Sequence, residues 1–274
     1  MSALEALPPA AFFLFLEAAV GGTILLLLVQ ARGDVTRGFT LFTGWLFWTC
    51  AVLALGLRLA FPPSADWRLD PTDAFWYGAE RALTMAFTGL LLLYLVALQR
   101  GAANAASVLQ PAVQLTGLGG LWAAAVLHSG PQLSGLGAPL AVVAGAVSLG
   151  SALAGLSLGH WYLVAPTLSV RPLLQLTFTC LGAIGLQILL LPVLLLTGDG
   201  AAPARVLIEQ QSLFFAVRML FGLAVPFAVM VAVWRTARIR SLDSATGLLY
   251  VAATLILVGE ISARSLYFLT GIAT

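Results

Sequence analysis

Eight stretches of the chain are apolar for about the length that crosses a bilayer, roughly 10–30, 39–61, 79–99, 107–127, 135–158, 171–196, 213–235 and 245–270. About 20 mostly apolar residues in a helix cross a hydrocarbon core of ~30 Å, so the pattern predicts an all-α integral membrane protein with eight transmembrane helices. Chain breakers bound these runs: Pro8-Pro9 before the first, Pro62-Pro63 after the second, Pro131 before the fifth and Gly198-Asp199-Gly200 after the sixth. Pro192 and Pro226 fall inside runs and predict kinks, which membrane helices tolerate when neighbours satisfy the freed carbonyls. No polar gap is long enough for a soluble domain, so residues 1–274 are read as a single transmembrane domain, with lengths compatible with two four-helix bundles. The first run lacks a basic leading region and a small-residue cleavage site, and is expected to remain as a span.

An even number of spans puts both termini on one side. Loops of the opposite side hold Arg32, Arg37, Arg100, Arg171, Arg235, Arg238 and Arg240, whereas loops on the terminal side hold Arg68 and Arg205 beside Asp66, Asp70, Asp73 and Asp199. The positive-inside rule then makes the arginine-rich side cytoplasmic and both termini external. Arg235, Arg238 and Arg240 read as a topology anchor against anionic lipid.

Composition agrees with the periodicity: 61% of the 274 residues are hydrophobic and only 9% charged, against about 25% charged in soluble domains. All thirteen basic residues are Arg, which excludes a lysine imine to a carbonyl cofactor. Cys50 and Cys180 both fall inside spans, too few for a disulfide framework or a thiolate metal site. Arginine in place of lysine, with abundant Ala, Gly and Leu, fits a GC-rich bacterial genome and a bacterial cytoplasmic membrane.

The ionisable residues within the spans gather toward the terminal side. By helical rise, Glu17 lies roughly 12 Å in from that side, Arg218 about 8 Å, Glu260 about 15 Å and Arg264 about 9 Å. Charges in hydrocarbon usually face a bundle interior and mark a path for ions, protons or substrate. Glu260 and Arg264 are four apart and share a helix face, which Tyr267 continues. A carboxylate, a guanidinium and a phenol at one depth suit the head group of a quinone, whose carbonyls need donors and whose redox chemistry needs a proton path. Glu80 and Arg81 are placed in the first turn of the third span, and Arg58 and Arg81 are expected to snorkel to the edge. Pairing of Glu260 with Arg264 is equally compatible with a purely structural role.

Haem ligation by two imidazoles needs them at similar depth on facing helices. His128 ends the fourth span on the terminal side and His160 ends the fifth on the other, so both are read as interfacial, with Trp161 and Tyr162 completing an aromatic belt. His128 and His160 become metal ligands only if haem is present, and no haem is expected. The sequence holds no Walker A loop, dinucleotide fingerprint, HExxH or CxxC, and nothing points to nucleic acid.

The run Gly259-Glu260-Ile261-Ser262-Ala263-Arg264-Ser265-Leu266-Tyr267-Phe268 resembles the closing Gly-Glu-x-x-x-Arg-x-Leu-Phe-Tyr signature of the NrfD/polysulfide-reductase and dimethyl-sulfoxide-reductase membrane anchors. Glu17 followed by Gly21-Gly22 is similar to their glycine-rich first helix, and the eight-span layout with external termini matches the dimethyl-sulfoxide-reductase anchor. Ala263 stands where a second glycine is usual, and Tyr267-Phe268 inverts the aromatic order. The resemblance implies a haem-free anchor that binds menaquinone or ubiquinone and exchanges electrons with an iron–sulfur subunit, itself attached to a molybdopterin-type catalytic subunit. It carries Glu260, Arg264 and Tyr267 over to the quinone site, with Glu17 beside them. A haem-b subunit, a permease and a non-catalytic scaffold remain as alternatives.

Overall fold

The computed structural model describes residues 3–33, 35–62, 71–129, 132–165, 167–197 and 202–274. Pro63, Asp66, Arg68, Asp70, Pro131 and Gly198-Asp199-Gly200, where the sequence placed breakers and loop charges, lie outside the described residues. Of the described residues, 90% are helical and none forms a strand. Its long rods are α1 (Ala3–Ala31), α2 (Arg37–Ala60), α3 (Pro71–Arg100), α4 (Ala103–Leu127), α5 (Gly137–Val164) and α6 (Arg171–Leu196). A short α7 (Ala202–Glu209) follows. Then α8 (Ser212–Val217) passes through a π-helical segment, Arg218–Ala224, into α9 (Val225–Arg238), and α10 (Leu242–Thr270) closes the bundle.

Among the described residues, seven rods are long and apolar enough to cross a membrane, counting α8, the π segment and α9 as one. The protein is therefore an all-α, multi-pass membrane protein. The remaining rod, α4, has 25 residues, and Asn104, Gln110, Gln114 and Thr116 interrupt its apolar run. The short α7 carries no apolar run of membrane length and was not foreseen from the sequence.

Two rods occupy the centre. In the apolar stretches of α1 and α5, 83% and 72% of the residues are buried, against 28–44% in the other five spans. They can sit side by side because small residues line their contact. A Cβ on Gly21 would stand 1.9 Å from the carbonyl oxygen of Ala146, and one on Gly150 would stand 2.3 Å from the Gly21 carbonyl carbon. Only backbones without side chains approach this closely. One apolar core, including Phe12, Phe87, Leu91, Tyr94 and Leu121, gathers α1–α4 against α5. The other, including Leu149, Leu176, Ile184, Met230 and Leu249, gathers α5, α6, α9 and α10 against α1.

Three expectations change. Pro8 and Pro9 lie inside α1 and do not precede it. Proline removes a donor to the carbonyl four residues back, and the carbonyls released here are those of Leu4 and Glu5, both exposed. Helix α3 begins at Pro71, so Glu80 sits more than two turns inside it. Arg58 does not snorkel: only 4% exposed, it turns inward to pair with Glu80, which is fully buried.

At the arginine-rich end, basic side chains hold main-chain carbonyls. Arg37 donates to the carbonyls of Leu98 (2.6 Å) and Gln99 (2.8 Å) at the end of α3, and Arg240 donates to the carbonyl of Leu168 in the loop between α5 and α6 at 3.2 Å. The last carbonyls of a helix lack internal partners, and the Arg37 guanidinium satisfies two of those of α3.

Candidate functional site

The site begins with a backbone irregularity. Pro226 has no N–H and its ring crowds the carbonyl four residues earlier, which disfavours a regular α-helix through Gly222. The chain answers with a widened turn: the N–H of Val225 reaches back five residues to Leu220. Such π segments occur frequently at functional sites. Arg218 opens this one and is almost fully buried. The segment fits tightly against α10, since a Cβ on Gly259 would lie 2.0 Å from Gly222 Cα.

Glu17 from α1, Glu260 and Arg264 from α10, and Arg218 converge here, each at most 1% exposed. Arg264 Nε lies 2.7 Å from Glu17 Oε1, and Arg264 Nη2 donates to Glu260 Oε2 at 3.4 Å and to the Ala141 carbonyl at 3.1 Å. Arg218 Nη1 donates to Glu260 Oε1 at 3.2 Å. Its Nη2 donates to the side-chain oxygen of Gln187 and, at 3.2 Å, to the main-chain oxygen of Thr274. The result is an alternating chain of carboxylate and guanidinium, with zero formal charge when all four are ionised. It lies about 9 Å from the start of α8 and about 9–15 Å from the end of α10.

Three of the contributors escaped the sequence reading. Gln187 on α6 donates to Ser148 Oγ at 3.0 Å and to the Ala144 carbonyl at 3.2 Å. Ser148 donates to Glu260 Oε1 at 3.2 Å. Gly145 leaves the space: a Cβ there would come within 2.6 Å of Arg264 Nη2, 2.7 Å of Glu260 Oε2 and 3.2 Å of Glu17 Oε2. Gln187 stood out as the lone amide in a run of apolar residues from 181 to 196. Gly145 and Ser148 look like ordinary packing residues and gave no such signal.

Hydrogen bonding inside the cluster is incomplete. Both Glu17 oxygens and the Nε atoms of Arg218 and Arg264 are buried without a well-directed partner. Arg264 Nε is close enough to Glu17 for an ion pair, but its N–H points off the carboxylate. Buried polar atoms of this kind call for an explanation, because leaving a buried group unsatisfied costs about 1–3 kcal/mol. Tyr267 is brought near but not into the hydrogen-bonded chain. It packs with Ala138, Ala141, Leu194 and Phe268 beside the cluster.

A second buried pair lies toward the same end. Arg58 Nε donates to Glu80 Oε1 at 2.5 Å, and its guanidinium lies over the rings of Phe12 (4.9 Å) and Tyr77 (5.1 Å). His128 sits at the end of α4, with its ring edge-on to Phe13 and Phe268 and Nδ1 2.9 Å from the Ala124 carbonyl. His160 is exposed in the last turn of α5, at the opposite end of the bundle. The two imidazoles are not brought together, and one iron is not held by both. Among the described residues, no three His, Cys, Asp or Glu side chains group as a metal site.

A shallow cleft at the terminal end is lined by Leu133, Ser134, Leu136, Leu140 and Thr197. No charged residue lines it. No known protein family, curated protein or solved structure matches this chain.

Proposed function

We propose that this chain is a quinone- or quinol-reactive, haem-free membrane subunit of a multi-subunit respiratory oxidoreductase. It exchanges electrons with an iron–sulfur partner, and the cluster of Glu17, Arg218, Glu260 and Arg264 receives the quinone head group. One observation carries the reading: four ionisable side chains meet at one depth, yet donors on both arginines and the acceptors of Glu17 are left without directed hydrogen bonds. A polar core serving only to hold helices together gains most when every member is satisfied. Spare donors suit the carbonyl oxygens of a quinone, and the carboxylates suit the protons that accompany its electrons. Tyr267 borders the cluster and contributes apolar wall to the head group. The site lies in hydrocarbon, so the isoprenoid tail of menaquinone or ubiquinone stays in lipid.

The same reading takes α4 as the eighth span, with both termini on the outer face of a bacterial cytoplasmic membrane. The arginines at 32, 37, 100, 171, 235, 238 and 240 then all face the cytoplasm. The iron–sulfur subunit, joined to a catalytic subunit, docks on the outer face, where the cluster is nearest.

The test uses the native complex. Glu17→Gln and Glu260→Gln should each lower quinone-linked turnover by about tenfold or more, the scale of a lost positioned proton carrier, while dye-linked turnover of the catalytic partner persists. Unchanged quinone-linked turnover in both variants, or purification without any iron–sulfur subunit, would sink the reading. The pairing of the buried guanidinium groups of Arg58, Arg218 and Arg264 with carboxylates favours a second reading, a structural polar core. That reading expects an apolar set at 17 and 264 to fold and to leave turnover intact.

A further inference from the structure

The segment after α10 turns back into the bundle. Gly271 adopts a left-handed conformation (φ 72°) and its N–H closes on the Tyr267 carbonyl at 2.7 Å. Glycine takes this conformation without the steric penalty of a side chain. Beyond it, Ile272 packs on Leu207 of α7 and on Leu266, while Ala273 is enclosed by Ala138, Ala141, Leu194 and Tyr267. The Ala273 N–H donates to Gln132 Oε1 at 2.8 Å, and Gln132 Nε2 in turn donates to the Leu194 carbonyl at 3.0 Å. The main-chain oxygen of Thr274 then accepts from Arg218 Nη2 at 3.2 Å. Thr274 is buried as well, although its hydroxyl has no partner there.

We propose that Gly271–Thr274 is a displaceable strap that occupies the head-group place of the buried cluster, with the Thr274 oxygen standing where a ligand carbonyl binds Arg218. The proposal rests on the quinone reading above and adds how the site is closed and opened. Three observations support it. The strap presents to Arg218 a main-chain oxygen, an acceptor of the kind that a bound head group would offer. It is held on the bundle by few directed bonds, chiefly that to Gln132, so removing it does not dismantle a helix. The shallow cleft of Leu133, Ser134, Leu136, Leu140 and Thr197 includes the chain neighbour of Gln132, so a strap that lifts opens the bundle next to an existing cleft. The near-complete burial of the four charged side chains is then the strapped state, and ligand binding competes with the chain's own main-chain oxygen.

A competing internal group lowers apparent affinity by the fraction of open sites. Binding of a decyl-tailed benzoquinone is therefore measured on the full chain in lipid nanodiscs with its native partners, on a form ending at Thr270, and on Gln132→Leu. Both altered forms should bind at least about fivefold tighter than the parent, and Arg218→Gln in the form ending at Thr270 should abolish the gain. Gln132→Leu keeps the strap and its apolar contacts, so it reports even where the shortened form does not assemble. Equal or weaker binding in the altered forms, with binding by the parent retained, overturns the strap and leaves the head-group site standing. Binding by none of them overturns both.

Discussion

Gly145 shows how much one absent side chain decides. A Cβ would enter the space shared by Arg264, Glu260 and Glu17, and the cluster has no slack because its members are buried. Gly145→Ala should lower thermal stability in detergent by about 1–3 kcal/mol, the range for overpacking a tight core. The ion pairs invite a double-mutant cycle. Arg264→Leu leaves Glu17 without its ion-pair partner while Glu260 keeps Arg218, and breaking a buried pair from one side costs about 3–5 kcal/mol. Adding Glu17→Leu removes the stranded carboxylate and should recover part of that loss. The cycle is read from unfolding midpoints, and simple additivity would mean that Glu17 and Arg264 are not energetically coupled. Glu260 and Arg264 were legible in the sequence as a pair four residues apart. Their link to Glu17, 243 positions away from Glu260, was legible only as a shared depth.

Helix pairs set the next scale. Gly21 and Gly150 join α1 to α5, and Gly222 and Gly259 join the π segment to α10. Gly21→Ala and Gly259→Ala each force backbones apart and should destabilise the bundle by about 1–3 kcal/mol. Gly182→Ala and Gly185→Ala, on open faces of α6 with nothing within 4 Å, should be neutral or stabilising by up to about 1 kcal/mol, the helical preference of Ala over Gly. If thermal melts fail to separate these two sets, the close approaches do not govern packing. The same scale accounts for Pro226. The sequence predicted a kink there, and the helix carries a π turn just before the proline, from which Arg218 reaches Glu260. How the widened turn packs is a property of the neighbouring helix.

For the whole molecule, orientation is the open quantity. Ser134 and Gly101 are exposed at opposite ends of the bundle. With termini outside, Ser134→Cys should react with a membrane-impermeant thiol reagent on intact cells, while Gly101→Cys should react only after permeabilisation. Cys50, half-buried, and Cys180, buried, give little background. The reverse pattern would invert the topology and move the charge cluster toward the cytoplasm. Labelling of both from outside would break the alternation of spans and remove α4 from their number.

Sequence alone determined the class and the long apolar rods, because burial in lipid demands long apolar helices whose backbones satisfy themselves. It also placed Glu17, Arg218, Glu260 and Arg264 at one depth, since helical rise converts position into distance. Tertiary structure decided which faces meet. Gln187 and Ser148 join the cluster, Tyr267 stays at its edge, Arg58 turns inward to Glu80, and Thr274 reaches back to Arg218. Depth is a local count along each helix, but rotation about the helix axis is fixed by packing against neighbours, and no single segment encodes it.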